Sequence, residues 1–313
     1  MKLYHVIEAQ QFDVPTLHEL FDATAGMERL AKQGGGSEYR SNIMATLFYE
    51  PSTRTRFSFE AAMHRIGGRV ITTENAAEFS SVSKGETLED TVRIINGYAD
   101  VIVIRHHEVG AARRAAAVST VPIINAGDGV GQHPTQALLD LYTIRKETGA
   151  IDGLKIAMVG DLAQGRTVRS LAYLLAKFKG IRMYFVAPQL LRMKEDILLH
   201  LREHGVEFVE EPDLDKVLPE ADVVYQTRIQ KERFGDRVAD YEECRGLYVI
   251  NGASLKLMKQ NAILMHPLPR VGEITMEVDS DPRAAYFRQA QNGLYVRMAL
   301  LSRVLSNSGK VAG

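Results

Sequence analysis

The chain has 313 residues, of which 45% are hydrophobic and 25% charged, a composition that suits a soluble globular protein with sizeable cores and argues against disorder. Lys plus Arg number 38 against 39 Asp plus Glu, a net charge of −1, so no broad basic face for nucleic acid is expected and any anion site must be local. The single cysteine, Cys244, excludes an intrachain disulfide framework and a cysteine-cluster metal site, which fits a reducing compartment.

The opening segment MKLYHVIEAQQFD lacks the apolar core of a signal peptide and the arginine-rich bias of a transit peptide. No apolar run is long enough to span a bilayer. The cytoplasm, with no membrane contact, is the expected location. The length predicts two domains of roughly 150 residues each.

Along the chain, short β-branched apolar runs alternate with stretches of helical period, which predicts an α/β fold of two doubly wound parallel-sheet domains joined by interdomain helices. A helix over 16–32 (TLHELFDATAGMERLAK) precedes a loop at QGGGSE (33–38) and a strand at IMATLFY (43–49). The next residues, PSTRTR (51–56), place Ser52, Thr53, Arg54 and Thr55 at the start of a helix that stops at Gly67-Gly68. A helix N-terminus carrying hydroxyls and a guanidinium is suited to a phosphate. A plain serine N-cap on a surface helix is the bland alternative. The polar loop EFSSVSKGETLEDT (78–91) comes next.

Strands at VIVI (101–104) and VPIIN (121–125) are followed by Arg105 and by GDGVGQHPTQ (127–136). These residues and Ser52 to Thr55 all fall beyond carboxyl ends of strands, the edge where open α/β sheets bind ligands. His133 and Gln136, three residues apart, share one helix face. Singly, Arg105 reads as an ion-pair partner and His133 as a helix cap. A helix from about 134 to 147 carries the chain into the second domain. The first domain is expected to comprise 1–134 plus a C-terminal helix over 288–305, and the second 150–287.

The second half repeats the layout with arginine in place of hydroxyls. KIAMVG (155–160) leads to Arg166, DVVYQT (222–227) to Arg228, Gln230, Lys231 and Arg233, and AILMH (262–266) to the proline-rigid loop HPLPR (266–270), whose backbone carbonyls could accept hydrogen bonds. Separated arginines suit a dicarboxylate. GxxxxGK[ST], GxGxxG, HExxH and GxSxG are absent, the histidines show no ligand spacing, and adjacent His106 and His107 are expected to point apart. ATP, NAD, a metal and a covalent nucleophile are therefore not expected, and no cofactor is.

PSTRTR (51–56), KGET (84–87), HPTQ (133–136) and HPLPR (266–270), in this order, resemble the catalytic chains of aspartate carbamoyltransferases. The likeness runs from about residue 5 to 305. STRTR is shared by carbamoyltransferases in general, whereas the ornithine enzymes carry HCLP and an SMG loop, both missing here. The resemblance implies transfer of the carbamoyl group of carbamoyl phosphate to the amine of L-aspartate, a step of pyrimidine biosynthesis.

It also implies roles for particular residues. The phosphate would be held by Ser52, Thr53, Arg54, Thr55 and Arg105; Thr55, Arg105 and His133 would polarise the carbonyl oxygen. Gln136 and the backbone around Pro267, Leu268 and Pro269 would hold the carbamoyl amide, and Arg166, Arg228 and Gln230 the aspartate. Ser80 and Lys84 would reach into a neighbouring subunit's site, making a homotrimer, and a separate regulatory chain is possible. Glu50 and Arg233 are candidates for a pair that bridges the domains. A carbamoyltransferase for another amine such as ornithine is the alternative enzyme reading, and a silent binding subunit the alternative outside catalysis.

Overall fold

Strand β1 (Ile43–Phe48) is buried on both faces from Met44 onward, which is why its sequence is an apolar run interrupted by Thr46 alone rather than an alternating one. In this computed structural model residues 3–74, 85–231 and 234–308 are described. The chain divides into two units, 1–138 with 291–313, and 139–290.

In the first unit β1 pairs in parallel with β2 (Arg69–Glu74) on one side and β3 (Val101–His106) on the other, and β4 (Ile123–Asp128) completes the order β2-β1-β3-β4. Among the described residues its helices include α1 (Val14–Lys32), α2 (Thr53–Arg65), α3 (Leu88–Ile95) and α4 (Ala111–Val118). Asp13 caps α1 by accepting from the Thr16 N–H, and Thr87 caps α3 through the Asp90 N–H, each satisfying an amide that the helix cannot. Leu47, Val92, Ile102, Ile104, Ala112 and Ile123 belong to one core cluster of this unit.

A long helix, α5 (Pro134–Thr148), begins in the first unit and ends in the second. The second unit's sheet has the order β7-β6-β5-β8-β9, all parallel, from β5 (Lys155–Val159), β6 (Arg182–Val186), β7 (Glu207–Glu210), β8 (Val223–Gln226) and β9 (Ile263–Met265). Helices α6 (Arg166–Leu175), α7 (Glu195–Glu203), α8 (Leu214–Val217), α9 (Val238–Cys244) and α10 (Gly252–Leu257) connect them. The chain's last helix is α11 (Tyr286–Asn307). Its latter part packs within the first unit, where Tyr39 Oη bonds to Ser302 Oγ at 2.7 Å and Arg297 donates to Ser58 Oγ at 2.8 Å.

The strand order places a switch point in each sheet. Chain direction across the sheet reverses between β1 and β3 in the first and between β5 and β8 in the second. At such a point the loops leaving two adjacent strands diverge, so a crevice opens at their carboxyl ends.

Candidate active site

The first switch point gathers the phosphate-type residues. Phe48, the last residue of β1, lies opposite Arg105 on β3, and the Tyr49 N–H donates to the Arg105 carbonyl at 2.8 Å. The turn after β1 therefore starts beside Arg105. Ser52 is the N-cap residue of α2, yet its side chain makes no capping hydrogen bond, so the bland cap explanation of this serine fails. Thr53, Arg54 and Thr55 form the first turn, where amides lacking intrahelical partners and the helix dipole favour an anion. Thr55 is buried, and Arg54 is exposed with its guanidinium pKa lowered by partial desolvation.

Arg105 is 8% exposed. Its Nη1 donates to the Ala126 carbonyl at 3.3 Å, and Nη2 stands 3.2 Å from Glu50 Oε2. This places Glu50 on Arg105 within one unit; Arg233, its expected partner, lies outside the described residues.

His133 immediately precedes α5, is buried, and its carbonyl accepts from the Gln136 and Ala137 N–H groups at 3.1 and 3.2 Å. The loop before it is tied by a residue that the sequence reading passed over. Asp128, buried at the end of β4, accepts from Gly110 N–H at 2.8 Å and from Gln132 N–H at 2.6 Å. Gly129 has φ +55°, and a Cβ there would come within 2.3 Å of the His107 carbonyl oxygen. The Gly-Asp-Gly spelling is the signal that could have marked this loop as built rather than loose.

His106 and His107 do not point apart as expected. Their rings stack at 4.3 Å and 23°, and His106 also meets the Tyr49 ring at 4.7 Å. His107 lies in the bend just past β3, where the alternation of a strand no longer applies. Burial, then the charge of His107, lowers the His106 pKa, which favours a neutral ring. Ligand-like spacing does occur among histidines: His106, His107 and Glu108, and His200, Glu203 and His204 each bring their ligand atoms within 4.8 Å of one another.

At the second switch point Gly160 follows β5 at φ +110°, and the Thr227 N–H and Oγ1 after β8 both donate to the Val159 carbonyl at 2.8 Å. Gly160 and Thr227 are thus in close approach, and Arg228 follows directly. Asp161, buried, accepts from the Gln164 N–H at 2.9 Å and shapes the turn that delivers Arg166 to the first position of α6, where it is 8% exposed. Arg228 lines a cavity of about 300 Å³ together with Thr227, Tyr241, Arg245, Tyr248 and Glu273. Arg166 and Gln230 do not line that cavity.

Beyond β9, Leu268 is the one non-glycine residue with positive φ, at +48°, among the described residues, and the peptide bond to Pro269 is cis. Within each unit the expected residues gather at one sheet edge: Ser52 to Thr55 and Arg105 at the first, Arg166 and Arg228 at the second. Ser80 and Lys84 lie outside the described residues.

Residues 4–146 match the family model described as the carbamoyl-P binding domain of aspartate/ornithine carbamoyltransferase, and residues 152–304 match the Asp/Orn binding domain of the same family. This chain belongs to the aspartate/ornithine carbamoyltransferase family. Among its relatives, a chain of Pisum sativum named aspartate carbamoyltransferase 1, chloroplastic, is 60% identical over 305 residues, covering 97% of this chain and 79% of that one. The aspartate carbamoyltransferase catalytic subunit of Thermoplasma acidophilum is 50% identical over 308 residues, 98% of this chain and all of its own. Among solved carbamoyltransferase structures, the M. jannaschii aspartate transcarbamoylase catalytic subunit aligns with a TM-score of 0.92 at 49% identity, covering 99% and 100% of the two chains. The Trypanosoma cruzi aspartate transcarbamoylase in complex with carbamoyl phosphate and aspartate gives a TM-score of 0.92 at 43% identity and 97% coverage of each.

Proposed function

We propose that this chain is an aspartate carbamoyltransferase, converting carbamoyl phosphate and L-aspartate to N-carbamoyl-L-aspartate and phosphate for pyrimidine synthesis. The observation that carries the reading is that each unit has a switch point, the first edged by hydroxyls, a helix N-terminus and Arg105, the second by Arg166 and Arg228. The first is chemistry for a phosphate and a polarised carbonyl, the second for a dicarboxylate. In keeping with this, relatives at about 60% identity bear the aspartate name rather than the ornithine one.

In this reading residues 1–134 with the helix 288–305 hold carbamoyl phosphate, and 150–287 hold aspartate. Ser52, Thr53, Arg54, Thr55 and Arg105 take the phosphate oxygens. Thr55, Arg105 and His133 donate to the carbonyl oxygen, while Gln136 and the Pro267 to Pro269 backbone fix the amide. Arg166, Arg228 and Gln230 grip the aspartate carboxylates. The neutral amine of aspartate attacks the carbonyl carbon, a C–N bond forms, and the oxyanion develops toward the donors. The bond to the phosphate oxygen then breaks, and phosphate leaves with the amine proton. Positioning and preorganised donors carry the rate, each oxyanion donor contributing about 3 to 4 kcal/mol.

A homotrimer in which Ser80 and Lys84 complete a neighbour's site, with or without a regulatory chain, and a cytoplasmic location belong to the same proposal. The test is carbamoyl transfer by the purified protein with L-aspartate and L-ornithine in parallel. Carbamoyl-aspartate from aspartate alone is the expected result. Product from ornithine instead would overturn the dicarboxylate half, and no product from folded protein that binds carbamoyl phosphate would point to a binding subunit.

A further inference from the structure

The imidazole of His266 is enclosed, with only 2% of the residue exposed, and both ring nitrogens are engaged. Nδ1 accepts from the Leu268 backbone N–H at 2.8 Å, and Nε2 lies 2.8 Å from Glu273 Oε1. Since Nδ1 is an acceptor, the single ring proton sits on Nε2 and is donated to the carboxylate. A doubly protonated ring would set N–H against N–H at Leu268. The geometry therefore selects one neutral tautomer.

The bond to Leu268 copies an Asx turn, in which a side chain accepts the N–H two residues on. Here it has a demanding task, because Leu268 stands at φ +48°, a conformation that a Cβ disfavours. Both sides of His266 are fastened. Its own N–H donates to Gln289 Oε1 at 2.8 Å; Gln289 Nε2 donates to Asp140 Oδ1 at 2.6 Å, and the Tyr225 hydroxyl to Asp140 Oδ2 at 2.6 Å. At the far end of the ring, Glu273 also accepts from the Val271 N–H at 3.0 Å. An imidazole anchored at its Nε2 presents Nδ1 in a fixed direction, which a solvated loop residue could not.

We propose that His266, as its neutral Nε2–H tautomer, is a positioning residue for carbamoyl transfer: through Nδ1 it holds Leu268 in its left-handed conformation and so aims the Pro267 and Leu268 carbonyls at the carbamoyl amide. The inference rests on the function proposed above, which gives those carbonyls their task. His266 touches no substrate in this scheme and acts through the backbone.

Two near-isosteric variants separate the ring's two bonds. In His266→Asn the side-chain oxygen can still accept from the Leu268 N–H as an Asx turn, while the link to Glu273 is lost. In His266→Gln the amide reaches toward Glu273 but no longer serves Leu268. The proposal expects His266→Asn to keep kcat/KM for carbamoyl phosphate within about threefold, and His266→Gln to lose on the order of tenfold or more, since small misplacement of positioning groups is costly. A crystal structure of His266→Gln should show Leu268 moved out of positive φ. Should His266→Asn fail to fold, His266→Gln combined with Leu268→Gly should regain at least about threefold over His266→Gln alone, because glycine accepts positive φ without help. Equal activity in the Asn and Gln variants, or an unmoved Leu268 in an impaired Gln variant, overturns the proposal. A wild-type protein inactive with aspartate overturns the function beneath it, whereas an active wild type with the wrong variant ranking removes only this inference.

Discussion

Arg105 Nη2 stands 3.2 Å from Glu50 Oε2 while its Nη1 donates to the Ala126 carbonyl at 3.3 Å. The guanidinium is thereby held in one orientation by two partners. A lysine could not span both partners. Arg105→Lys should lower turnover on the order of a hundredfold, as for loss of a preorganised donor, with the melting temperature nearly unchanged. The pair with partly exposed Glu50 contributes little to stability, about 0 to 1 kcal/mol. Steady-state kinetics beside a thermal melt checks both halves, and near-wild-type turnover would refute the assignment.

Gly160 tests the second switch point. A Cβ there would lie 2.5 Å from the Thr227 carbonyl oxygen and 2.7 Å from its Oγ1, at φ +110° where side chains are strained. Gly160→Ala should destabilise by about 2 to 3 kcal/mol and, because Arg228 follows Thr227 directly, raise KM for aspartate more than for carbamoyl phosphate. Denaturant unfolding and the two KM values decide it; equal rises in both would separate the turn from the aspartate half.

Arg283 closes α10. Its Nη1 donates to the Leu255, Met258 and Lys259 carbonyls at 2.9, 3.2 and 3.3 Å, while Asp281 takes Nε and Nη2. It thus supplies bonds that the helix end cannot make for itself. Arg283→Met keeps much of the stem and loses every one of them, so the urea midpoint should fall by the equivalent of about 2 to 3 kcal/mol. Arg283→Lys should recover part of that loss.

Much of the fold was readable from sequence, and each gap has a physical cause. The strands found as apolar runs are those with neighbours on both sides of the sheet, together with β4 and β9. The two that were overlooked, RVITTE and EFVE, are β2 and β7 at sheet edges, with exposed and half-exposed side chains; an edge strand need not be apolar. Ser52 to Thr55 and Arg105 could be placed at strand ends from the letters alone, because each follows closely on an apolar run. The roles of Asp128 and His266 could not be read this way, since their work is structural hydrogen bonding, Asp128 to the Gly110 and Gln132 N–H groups and His266 to the Leu268 N–H and the Glu273 carboxylate, which residue type alone does not mark. Arg228 and Arg166 carry their charge in the letters, but only the β5/β8 adjacency puts them at one edge.

A shared site has its own consequence. If Lys84 of one subunit completes the site that holds Arg54 of another, Lys84→Ala and Arg54→Ala homotrimers should each be nearly inactive. Mixed trimers assembled from the two should regain measurable activity through sites that draw neither mutation. Verified mixed oligomers with no regained activity would exclude sharing.

Glu273 gives the acid side of the stability curve a defined sign. Burial pushes its carboxyl up, but the His266 N–H and the backbone N–H groups of Val271 and Glu273 outweigh this and hold its pKa below the ordinary 4.5. A depressed folded-state pKa means that the folded form prefers the ionised carboxylate, so its contribution is complete above the unfolded value and disappears as pH falls through the folded one. Protonation would also leave His266 without its anionic partner and loosen the ring that serves Leu268. Glu273→Gln should therefore be less stable than wild type at neutral pH, and the gap should narrow steadily below about pH 4.5. Urea midpoints taken at intervals from neutral to acid pH read this directly, and a gap constant across that range would show that Glu273 is not held ionised by His266.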